Sequence, residues 1–226
     1  MAGLPARVSR RRRHAVVAIL ITLGICAPTR GFAAEPTEQS DITVRTYDTF
    51  GVKESVAEEA RAAARMLLAD AGVRVRWREC RTPGRAGAAS KDACSDRVAP
   101  RELIVRIILT PRTILDPEIL GYSFVDRERG RGTLATVFAD RIRDLAVQLQ
   151  VPQSVLLGRA MSHEIGHLLL GTVTHSLRGV MRGHWSANAS ADDWTFTSAE
   201  ALQMRLALGI DPAPASLARA DANSLR

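Results

Sequence analysis

"MSHEIGHLLLGTVTHSLRGVMRGHW" (161–185) holds four of the five histidines in the 226-residue chain. His163 and His167 stand four apart with Glu164 between them. The preceding "PQSVLLGRA" (152–160) and the following "LLL" (168–170) make one apolar helix of this region, with Pro152 at its first turn. On such a helix, residues four apart rise from one face, one turn above the other. Three polar side chains on a mostly apolar helix are costly unless they satisfy one another or a common partner. Two imidazoles at this spacing reach one tetrahedral Zn²⁺, and a neighbouring Glu reaches a metal-bound water without binding the metal. The motif therefore predicts one catalytic Zn²⁺, bound by His163 and His167, with Glu164 as general base.

A catalytic zinc takes a third protein ligand and keeps one position open. Gly171 can end the helix in a left-handed turn that swings the chain back, and His175 follows four residues later as the first choice. His184 and Glu200 are the alternatives. Glu200 also fits a helix start, with Thr197 or Ser198 before it as cap. Met181, six residues past His175, suits a soft apolar floor under the ligands. His184 is expected to line the cleft, and Tyr122 is a further cleft candidate beside a developing oxyanion.

"HEIGHLLLGTVTH" followed by "GVM" resembles the metzincin clan of zinc peptidases, with its HExxHxxGxxH helix and Met-turn. The spacing departs from that pattern by one residue before Gly171 and one more between Gly171 and His175. The resemblance implies zinc on His163, His167 and His175, Glu164 as base, Gly171 as turn glycine and Met181 as the Met-turn residue. It also implies a peptide or protein substrate, and it puts "TLATVFAD" (133–140) where such enzymes hold extended substrate on an edge strand. The alternative function is a zinc-binding protein of the same build with a binding or structural role.

The rest of the chain reads as an α+β, zincin-like domain over 42–210: a mixed twisted sheet, an active-site helix, a backing helix and a small C-terminal subdomain. "ITVRTYD" (42–48) and "VRVRWREC" (73–80) alternate as strands around an Ala-rich helix that Gly72 stops. "ELIVRIILT" (102–110) is apolar and β-branched enough for a central strand. "LGYSFVD" and "TLATVFAD" form a hairpin-like edge, and "ADRIRDLAVQLQ" is a helix broken by Pro152.

The net charge of +7 is local. Residues 1–34 contribute six of the 31 basic residues and no acid, leaving 25 basic against 24 acidic, which removes nucleic acid as a partner. "RVSRRRRH", "AVVAILITLGICA" and "RGFAAEP" read as the three regions of a signal peptide over 1–34. An exported protein, periplasmic or secreted, free of the membrane after cleavage and monomeric, is the expectation. A short polar tail (35–41) and a mobile C-terminal tail (211–226) flank the domain. Cys80 and Cys94 bracket a Gly/Ala-rich loop, and an even pair in an exported protein points to a disulfide.

Overall fold

In the computed structural model, residues 41–80, 94–185 and 194–210 are described. The expected leader, most of the polar tail and the C-terminal tail lie outside them. Strand β1 (Ile42–Asp48) turns Ile42, Val44 and Thr46 inward, and its outer residues begin the opposite face of the sheet. Helix α1 (Glu54–Asp70) carries the chain across to β2 (Val75–Cys80), which pairs parallel with β1. Strand β3 (Glu102–Ile108) pairs with the other side of β1 and occupies the centre of the five-stranded order β2-β1-β3-β5-β4. Leu103, Val105 and Ile107 face the helices, as the apolar run predicts.

Strands β4 (Gly121–Asp126) and β5 (Arg131–Phe138) form an antiparallel hairpin, and β5 lies parallel to β3. This corrects the expectation for "TLATVFAD": residues 133–138 are an interior strand, and "GYSFVD" is the edge. Burial explains the order. Ala135, Thr136, Val137 and Phe138 are enclosed on both faces, whereas β4 exposes Phe124 and Asp126. The more completely apolar strand takes the position with two neighbours.

Helices α2 (Ala139–Leu149) and α3 (Gln153–Leu170) follow, and α3 buries 14 of its 18 residues between α1, α2, α4 and the sheet. The alanines of α1 make that burial possible. Ala57, Ala60, Ala64 and Leu68 recur at helical spacing on the buried face. A Cβ at Gly158 of α3 would lie 2.6 Å from Ala60 O and 2.8 Å from Ala63 Cβ, so the two backbones meet where neither carries bulk. Helix α4 (Ser198–Ala207) closes the described chain against α3. No described helix is long and apolar enough to cross a membrane.

Cys80, the last residue of β2, and Cys94 form a disulfide, with Cα atoms 5.7 Å apart. Beside it, Arg45 of β1 and Glu102 of β3 make a two-pronged ion pair with both contacts at 2.6 Å, 3% and 4% exposed. Arg45 also donates to the carbonyls of Cys94 and Asp96, so one buried guanidinium fixes the returning segment to the sheet.

Candidate metal centre

The geometry of the site begins with the end of α3. Its last residue before the turn is Leu170, and Gly171 follows with φ 66° and ψ 25°, the left-handed conformation that favours glycine. Gly171 also presses against the Gly130 backbone in the β4–β5 turn, which leaves no room for a Cβ. The chain then reverses and brings His175 over the helix face. Gly171→Ala is therefore expected to cost at least about 1–2 kcal/mol and to weaken zinc binding by displacing His175. Thermal unfolding and a chelator competition check both effects, and an unchanged melting temperature would contradict the reading.

His163, His167 and His175 come together with one ring nitrogen each within 4.8 Å of the others. The first two are buried and the third is exposed. The Nδ1–H of His163 donates to the Val180 carbonyl at 2.8 Å, and that of His167 donates to the Thr172 carbonyl at 2.8 Å. Each carbonyl fixes its imidazole in one tautomer and turns the Nε2 lone pair inward. The two Nε2 atoms then face each other at 3.0 Å. Neither has a proton to give, so the pair is repulsive unless a cation lies between them. Two nitrogens on one tetrahedral Zn²⁺ sit about 3.3–3.4 Å apart, close to the separation found. The donor set fits zinc.

Burial pushes the His163 imidazole down to about 3, with His167 adding to the effect, and burial likewise lowers His167 and His175. All three are neutral at pH 7, the form that binds metal. Burial pushes the Glu164 carboxyl the other way, up to about 7, against the opposing hydrogen bond from Ser123. A carboxyl poised near neutral pH is matched to proton transfer.

Ser123 is a residue that sequence reading missed. Its hydroxyl lies 2.7 Å from Glu164 Oε2 and 2.8 Å from the Glu164 carbonyl. Two residues earlier on the same face of β4, a Cβ at Gly121 would fall 2.8 Å from Glu164 Oε1. The edge strand thus lies directly against the Glu164 carboxylate. The alternation that aims Gly121 and Ser123 at Glu164 turns Tyr122 to the opposite face, where its hydroxyl accepts from Arg106 at 3.1 Å. Tyr122 is not a cleft residue, which corrects that expectation.

Beneath the histidines, Met181 is 1% exposed, and its Sδ approaches Gly166 so closely that a Cβ there would lie 2.5 Å away. Neither alternative ligand joins the cluster. The Glu200 carboxylate accepts from the Thr197 backbone N–H at 2.8 Å in a capping box, and its other oxygen accepts from the Ser176 hydroxyl. It therefore holds the residue next to His175 and does not face the other histidines. His184 is exposed, with Nδ1 3.4 Å from Glu118 Oε2. Trp185 completes the surround, its ring edge-on to His163 at 5.8 Å between centroids.

No protein-family model matches the sequence, and no curated protein matches it. Among solved structures, the chain is similar to the archaemetzincin of Methanopyrus kandleri, at 14% identity and a TM-score of 0.46 over 74% of this chain and 96% of that one. It is also similar to a zinc-dependent peptidase of Methanocorpusculum labreanum, at 12% identity and a TM-score of 0.40 over 73% of this chain and 99% of that one. These are likenesses of chain course, and the chemistry of this chain rests on its own histidines and Glu164.

Proposed function

We propose that this chain is an exported zinc-dependent endopeptidase in which His163, His167 and His175 hold one Zn²⁺ and Glu164 is the general base. The observation that carries the reading is the pair of inward Nε2 atoms 3.0 Å apart, each imidazole oriented by a backbone carbonyl. Zinc at such a site supplies a Lewis acid that acidifies a bound water and polarises a carbonyl. Glu164, one step round α3 from His163, takes a proton from the attacking water and delivers it to the leaving amine nitrogen. Ser123 and the close backbone at Gly121 restrict where that carboxylate can point. Burial of Glu164 supports a base here, since a purely structural zinc gains nothing from an enclosed carboxyl beside its ligands.

The test is zinc content together with hydrolysis of a quenched peptide library by wild type and by Glu164→Gln. Zinc in both proteins with cleavage by wild type alone is the expected outcome. Zinc in both with no cleavage by either supports a non-proteolytic zinc protein instead.

A further inference from the structure

On the face of the sheet opposite α3, a cleft of about 390 Å³ opens between β1, β2 and the 96–102 segment. Its volume falls in the range of small-molecule sites, but its wall is polar and cationic where such sites are usually apolar. Five arginines and three acids line it. The acids are largely committed. Asp41 accepts from Arg74 through its side chain and backbone at 2.9–3.2 Å, and Glu102 is held by Arg45 with a further contact from Arg78 at 3.4 Å. Arg101 donates to the Leu208 carbonyl at 2.8 Å, and Arg76, Arg97 and Asp96 complete the charged lining.

The fold places these arginines together for reasons unrelated to the histidine site. Arg76 and Arg78 are two apart on β2 and so share the outward face, with Arg78 in register with Arg45 of β1. Arg97 enters from the opposite wall, on the segment that the Arg45 guanidinium ties down. Arg76 braces on Thr43 Oγ1 through Nε and one Nη, at 3.3 and 3.1 Å, which orders the guanidinium at the cleft wall. Five guanidinium groups against three carboxylates leave the concave wall with a net positive charge, which draws anions toward it. The planar guanidinium fork matches phosphate oxygens, and several forks around one centre favour a dianion over a carboxylate.

We propose that this cleft binds a phosphomonoester group carried on a larger molecule, at a site separated from the histidines by the thickness of the sheet. The proposal does not depend on the peptidase reading. Isothermal titration of the disulfide-intact, zinc-loaded protein with inorganic phosphate and with glycerol phosphate tests a soluble source. Co-sedimentation with phosphatidylcholine vesicles containing phosphatidic acid tests a lipid source. Saturable binding in at least one arm is expected, weakened about tenfold or more in Arg76→Gln/Arg97→Gln, as loss of charge-assisted hydrogen bonds requires. Arg143→Gln, an exposed arginine on α2, should bind as wild type does, and zinc content should stay constant throughout. Absence of saturable binding in every arm overturns the proposal. So does equal weakening by Arg143→Gln, which would mark a general charge effect.

Discussion

Replacing Glu164 by Gln should lower kcat for peptide hydrolysis by about a hundredfold to ten-thousandfold, the usual contribution of a positioned base. Zinc content should stay at the wild-type level. The substitution is nearly isosteric, and a Gln carbonyl oxygen can still accept from the Ser123 hydroxyl, so packing against β4 survives. What disappears is proton acceptance. KM should change little, because Glu164 holds no part of the substrate in the ground state. A variant that cleaves peptides within a few-fold of wild type would remove Glu164 from the role of base.

The largest effect on stability is expected far from that site, at Glu102→Ala. The Arg45–Glu102 pair is almost fully enclosed, and truncating Glu102 leaves a buried guanidinium without its carboxylate partner. Breaking a buried ion pair in this way costs about 3–5 kcal/mol. In a domain of this size that lowers the melting temperature by roughly 10 °C. The pH dependence has a defined sign. The Arg45 guanidinium beside Glu102, outweighing burial, holds its carboxyl below the usual carboxylate value of 4.5. The pair's contribution is therefore complete above that value and lost as pH falls through the lower folded-state pKa. Wild type should lose stability on acidification below about pH 4.5, and Glu102→Ala should lose less over the same interval. Parallel melting curves for the two proteins across that range would contradict the assignment.

The parts of the fold that the sequence discloses are those governed by local periodicity. Helix α3 announces itself by apolar content, by Pro152 before it and by Gly171 after it, and the structure ends the helix there in a left-handed turn. The apolar, β-branched run at 102–108 is the central strand, and Cys80 pairs with Cys94. The order of β4 and β5 was not legible, because each is a short strand and only the course of the 109–120 connection decides which lies outside. That single uncertainty hides Ser123. Its place against Glu164 depends on which strand forms the edge and on which residues of that strand point inward. Tyr122 was misplaced for the same reason, one residue out of phase. Glu200 shows a different limit. Its capping role is readable from "TSAE", but its hold on Ser176 is a contact between segments 24 residues apart.

The proposed peptidase requires that His163, His167 and His175 form one zinc site. Zinc per chain after dialysis against a chelator, measured for wild type and for the His163→Ala, His167→Ala, His175→Ala and His184→Ala variants, tests it most directly. One zinc per chain is predicted in wild type and in His184→Ala, falling well below one in each of the other three. Full retention of zinc by His175→Ala, or no zinc in the wild type, would contradict it.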